Sequence, residues 1–114
     1  MKTNKEKALE IANLLTDYKG VDTKVIDVSQ INSWTDFFVM TTVNSSTHWK
    51  GLYKYVKDYA KENDLQIHVP SRKVVSGDDW NLIDLGIIVV HLLSGDAREF
   101  YDLEKLWHGG EQIL

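Results

Sequence analysis

The sequence predicts an α/β fold: a mixed sheet of about five strands, two main helices and a short C-terminal helix. Three observations carry this reading. Two stretches repeat apolar residues at helical spacing, Ala8-Ile11-Ala12-Leu15-Tyr18 and Trp49-Leu52-Tyr53-Val56-Ala60. The runs Phe37 to Val43 and Ile87 to Leu93 are almost wholly apolar or β-branched, as strands covered on both faces require. The segment Trp80 to His91 reads as two strands turning at Leu85-Gly86, where a glycine supplies the positive φ of a tight hairpin. At 114 residues the chain is expected to form one domain over 1–114, large enough to need no covalent staples.

The first helix is predicted over residues 4–19. Thr3 and Glu6 have capping-box spacing at its start, and Gly20 is expected to end it as a left-handed cap. Lys24 to Val28 is short, β-branched and alternating, a first strand near an edge. Phe37 to Val43 is then the central strand. Ser45 or Ser46 can cap the second helix, Lys57 and Lys61 suit its C-terminal end, and Asn63 stops it. Gln66 to Val69 reads as a strand ended by Pro70, and strand–helix–strand order implies a parallel crossover. Ser71 to Asp79 is polar and reads as a loop. After the hairpin, Asp96 and Glu99 repeat the capping-box spacing, and Phe100, Leu103 and Trp107 can line the buried side of a last helix. The tail after Gly109-Gly110 is expected to fray.

Cysteine is absent, which excludes disulfides, thiolate metal sites and cysteine nucleophiles. No leader opens the chain and no apolar run reaches membrane-spanning length, so a cytoplasmic protein with no membrane partner is expected. The net charge of −4 is uneven: residues 77–114 hold eight acids against two bases, giving −6, and the remainder nine against eleven, giving +2. Phosphate backbones repel the acidic segment, so DNA is not expected there. It suits a basic protein partner, and a solvated acidic rim is the plainer alternative.

Catalytic signatures are weak. The four histidines, His48, His68, His91 and His108, show no metal-binding i, i+4 pair. His91 sits in an apolar strand and reads as structural. Asn44-Ser45-Ser46 could start a phosphate-binding helix, but without glycines or a P-loop lysine, capping is simpler. Asp78, Asp79 and Asp84 have nothing to aim them at one metal pair. No catalytic residue, metal ligand or cofactor is therefore assigned. Recognition is better supported. Trp80, Leu82 and Asp84 share one strand face, and Tyr101, Leu106 and Trp107 add aromatic and apolar surface in the same acidic third. Trp80 and Tyr101 are read as contact residues, Phe100 and Trp107 as core.

These residues also carry a resemblance. Trp80, Leu82-Ile83-Asp84-Leu85-Gly86 and Val89-Val90-His91, followed by Arg98-Glu99-Phe100-Tyr101-Asp102-Leu103-Glu104-Lys105-Leu106-Trp107, resemble the ribosomal silencing factor (Iojap-related) family. Asp36-Phe37-Phe38-Val39, Thr42 and Ser45-Ser46-Thr47-His48 resemble its second signature. The resemblance implies a nucleotidyltransferase-like fold without that superfamily's catalytic carboxylates. It further implies a translation repressor that binds the large ribosomal subunit through ribosomal protein L-fourteen. Such a factor blocks association with the small subunit, reduces protein synthesis under nutrient limitation and forms homodimers. By resemblance, the contact surface comprises Trp80, Leu82, Asp84, Leu85, Gly86 and Tyr101. Two positions depart from the family pattern: Ile87 stands for an aspartate after the hairpin glycine, and Thr47 for an arginine before the histidine. A nucleotidyltransferase-like enzyme and a plain dimerisation module are the alternatives.

Overall fold

The structure, a computed structural model, describes residues 2–31, 33, 35–73, 79–101 and 109–114. Its elements are α1 (Asn4–Asp17), β1 (Val21–Asp27), β2 (Phe37–Val43), α2 (Ser46–Glu62), β3 (Val69–Lys73), β4 (Trp80–Asp84), β5 (Ile88–Ser94), α3 (Gly95–Tyr101) and β6 (Glu111–Gln112). The strands form one six-stranded sheet in the order β3-β4-β5-β2-β1-β6. β2 and β5 run parallel at its centre, and every other neighbouring pair is antiparallel. The mixed sheet, its central strand and its hairpin are as the sequence predicts.

Both long helices lie on one face of the sheet. Ala8, Ile11, Ala12 and Leu15 of α1 and Trp49, Leu52, Val56 and Ala60 of α2 bury their stripes against Val25, Val39, Ile83, Val90 and Leu92. The helices are clasped to each other where the Tyr59 hydroxyl donates to Glu10 Oε1 at 2.5 Å and Lys2 Nζ pairs with the same oxygen at 3.0 Å. Those two contacts, Tyr59 first, hold the Glu10 carboxyl below its ordinary range. On the opposite face a second cluster forms from Ile26, Val28, Phe38, Met40, Val89 and Leu93, with Ala97 of α3 laid over it.

Several local expectations change. The capping box at Thr3 and Glu6 forms in both directions, but Gly20 is not the left-handed residue that ends α1. Lys19 takes that conformation, with φ 72°. Lys19 N–H then donates to Thr16 O and Gly20 N–H to Leu15 O, the paired bonds of a Schellman motif. Gly20 is needed for space instead, since a Cβ there would stand 2.4 Å from Thr41 Oγ1 and 2.7 Å from Leu15 O.

The strand expected over Gln66 to Val69 forms later, at Val69–Lys73, and Pro70 lies within it. An edge strand tolerates the missing donor, and β3 is an edge. Part of the expected loop from Ser71 is thus strand, and residues 74–78 lie outside the described residues. β3 runs parallel to β2 as the crossover implies, with β4 and β5 inserted between them. The cap of α3 is Ser94, whose Oγ accepts from Ala97 N–H at 3.1 Å, and not Asp96. The tail is not frayed: β6 pairs with Ile26 and Asp27, and Ile113 N–H donates to Val25 O at 2.9 Å. Leu103 and Trp107 lie outside the described residues.

Candidate protein-binding face

The pleat divides the hairpin. Asn81 and Ile83 of β4, together with Leu85, turn to the helix-covered side and are buried, whereas Trp80, Leu82 and Asp84 turn to the other side and are half-buried. Leu85, assigned to the contact surface by resemblance, is only 2% exposed and packs in the core beneath the helices. A side chain placed there supports the turn and does not meet a partner.

Trp80 is anchored. It packs with Leu82 and Tyr101 against the second core cluster, and its indole Nε1 donates to His91 Nδ1 at 3.2 Å. His91 is 5% exposed and meets the edge of Phe38, with ring centroids 4.8 Å apart. Burial pushes its imidazole down to about 4, so it is neutral near pH 7. Because an indole N–H can only donate, Nδ1 carries the lone pair and the proton resides on Nε2. Nε2 has no hydrogen-bond partner among the described residues. His91 is thus an internal brace for Trp80, in keeping with its structural reading.

The aromatic series continues outward. Tyr101 lies 5.1 Å from Trp80 between centroids, and Phe100 stands edge-on to Tyr101 at 4.9 Å. Phe100, expected in the core, is 81% exposed. The inner side of α3 is formed by Ala97 and Tyr101, and this turns Phe100 to solvent. Asp79, Asp96, Ala97, Phe100 and Tyr101 line a shallow cavity of about 310 Å³. Phe100 is an exposed aromatic of this face that the sequence reading missed, as Tyr18, read into the buried stripe of α1, is on the other side. The signal available was Ala97, four residues before Tyr101, a small residue easily passed over when marking a buried stripe.

At the other end of β4, Asp84 Oδ1 accepts from Gly86 N–H at 2.8 Å and so braces the turn. Gly86 has φ 84°, and a Cβ there would meet His68 Nε2 at 2.8 Å. The exposed His68 therefore stands over the turn, next to Asp84. Ile87 has a local explanation too: its side chain packs on the helix-side core, and its carbonyl accepts from Asp36 and Phe37 N–H, each at 3.0 Å.

Acid stands at the two ends of β4 and at the start of α3, in Asp79, Asp84 and Asp96. Arg98, one of the two bases in the acidic third, is buried, with Nη1 donating to Thr42 Oγ1 at 3.0 Å and Nη2 lying 3.7 Å from Asp22 Oδ2. Its charge is directed inward. Asp79 and Asp84 flank β4 at opposite ends, about 16 Å apart along a strand, too far to share a metal. Asp78 lies outside the described residues. Among the described residues no three His, Asp or Glu side chains gather as a metal site would require. Ser45 caps α2 by accepting from His48 N–H at 3.0 Å, as expected of a capping serine. No described helix is long and apolar enough to cross a membrane.

This geometry defines a mixed-sheet α/β protein with one face closed by two helices and an aromatic, acidic rim on the other. A solved structure from Chromobacterium violaceum shares that fold with a TM-score of 0.83 at 31% identity, covering 94% of this chain and 88% of the other. The chain belongs to the ribosomal silencing factor family: residues 1–113 match the family described as ribosomal silencing factor during starvation. The ribosomal silencing factor RsfS of Treponema pallidum is 36% identical over 100 residues, 88% of each chain. That of Bacillus subtilis is 35% identical over 107 residues, 91% of this chain and 87% of the relative.

Proposed function

We propose that this protein, acting as one domain over residues 1–114, represses translation by binding the large ribosomal subunit and sterically blocking its association with the small subunit under nutrient limitation. The observation that carries the proposal is the family match over residues 1–113, with relatives named as silencing factors and not after a reaction. The partner in contact is ribosomal protein L-fourteen, and the working location is the cytoplasm. Ribosomal proteins are mostly basic, and the rim of Asp79, Asp84 and Asp96 around Trp80, Phe100 and Tyr101 offers complementary charge beside aromatic anchors. The docking surface is Trp80, Leu82, Asp84, Gly86 and Tyr101, extended by Phe100 and His68. Leu85 holds the turn from below. Steric blocking requires no cofactor and no turnover, so the protein is not an enzyme in this reading. Homodimers are part of the same proposal.

The test is a subunit-joining assay. Purified large subunits preincubated with the protein should fail to form joined ribosomes when small subunits and magnesium are added. Undiminished joining at a several-fold molar excess would sink the proposal. Magnesium-dependent turnover of a nucleoside triphosphate would instead favour the nucleotidyltransferase-like alternative.

A further inference from the structure

The acidic rim leaves the opposite side of the molecule unassigned, and that side is covered by α1 and α2. The buried stripe of α2 is Trp49, Leu52, Val56 and Ala60. On the outer surface of that helix Lys50, Lys54, Lys57 and Lys61 follow one another at spacings of four, three and four residues, and all are exposed. Such spacing sets the four ammonium groups in one row about 16 Å long. None of them is in an ion pair among the described residues, whereas Lys2 and Lys24 both are. Asp58 and Glu62 also lie on α2, about a quarter-turn round from the lysine row.

We propose that this lysine row is a second docking surface, for the phosphate backbone of structured RNA. The assignment of RNA rests on the ribosome reading above, because a protein seated on the large subunit faces ribosomal RNA as well as protein. Charge complementarity supplies the attraction: compact ammonium groups in a row match a line of phosphates and need no base contacts. The net charge of −4 resides in residues 77–114, which hold −6, while the remainder, α2 included, holds +2. Trp80 and Leu82 pack with the cluster on one sheet face and α2 with the cluster on the other. Acid on one side and lysine on the other would orient the protein between basic protein and RNA.

The test is fluorescence anisotropy with the full chain and a labelled RNA hairpin of about 20 base pairs, titrated with salt. Four phosphate contacts give a log–log slope near −4, an affinity loss on the order of a hundredfold between about 50 and 200 mM salt. Lys54→Gln, Lys57→Gln and Lys61→Gln together should flatten that slope by about three units. A control triple variant, Lys5→Gln with Lys7→Gln and Lys19→Gln, removes the same charge elsewhere and should leave the slope within about one unit. Absence of hairpin binding at about 50 mM salt, or equal losses in the two triple variants, would overturn the proposal. So would binding to vesicles of anionic phospholipid in place of the hairpin. Binding of the α2 variant to L-fourteen alone should be unchanged, which separates this inference from the protein-contact reading. Thermal midpoints near that of the parent chain would confirm that these exposed substitutions leave the fold intact.

Discussion

His91 shows how a residue that reads as ordinary core can set up a functional one. It holds Trp80 through a side-chain hydrogen bond and is kept neutral by burial. The consequence is a pH dependence with a definite sign. Its folded value of about 4 lies below the ordinary 6.5. The unfolded chain therefore binds the extra proton first as pH falls. The stabilisation is complete above about pH 6.5 and disappears towards pH 4, at up to about 1.4 kcal/mol per pH unit. Urea midpoints of the parent chain should fall over that window, while His91→Gln should be less stable at pH 7 yet show a flatter profile. Parallel profiles would mean that His91 does not supply the slope. Phe100 makes the complementary point. Its apolar character suggested core, but the helix phase is set by Ala97 and Tyr101, and an alanine carries too little weight in a hydrophobic pattern to reveal that phase.

Among the elements, helix ends show where sequence reading succeeds and where it falls short. The caps at Thr3 and Ser45 were legible because a polar residue at a fixed offset satisfies a specific backbone donor. The end of α1 was legible only to within a residue. A glycine signals that the chain leaves the helix, but whether it supplies the left-handed turn or only space depends on what packs above it, here Thr41. Opposite outcomes are expected from adjacent substitutions. Lys19→Gly relieves a left-handed non-glycine and should change stability by no more than about 1 kcal/mol, in the stabilising direction. Gly20→Ala drives a methyl into Thr41 and the Leu15 carbonyl and should cost about 1–3 kcal/mol or more. Chemical denaturation of the two variants checks the assignment, and the reverse order would return the left-handed role to Gly20. At α3, Ser94→Ala should cost about 1 kcal/mol of stability and Asp96→Ala only a few tenths, because the hydroxyl that accepts from Ala97 belongs to Ser94. Equal losses would restore Asp96 as the cap.

For the whole molecule, strand identity was more legible than strand order. Apolar density marks β2 and β5 as central, but it says nothing about which strand lies beside which. The crossover pointed towards a parallel partner for β2 in β3, and that partner is β5, because the β4–β5 hairpin occupies the space between. The tail was misread for a related reason. Glu111 and Gln112 have no strand signature, yet backbone hydrogen bonds, with Ile113 packed on the core beside them, let them extend the β1 edge. The face was legible: period-two alternation placed Trp80, Leu82 and Asp84 together, but Leu85, which the resemblance had put on the same surface, lies on the other side. What alternation could not give was depth. Trp80 is braced from beneath by His91 of the neighbouring strand, and Phe100 projects because of the way α3 folds back over the sheet.

If this aromatic and acidic rim grips the large subunit, co-sedimentation with purified large subunits will show it. The parent chain should pellet with them, and Trp80→Ala combined with Asp84→Lys should lose about 2–5 kcal/mol of binding, roughly thirtyfold to several thousandfold. Phe100→Ala, at an exposed position where stability is barely affected, should lose about 1–2 kcal/mol while its melting temperature holds. Parent-like pelleting by both folded variants would contradict the claim and move the docking surface elsewhere on the molecule.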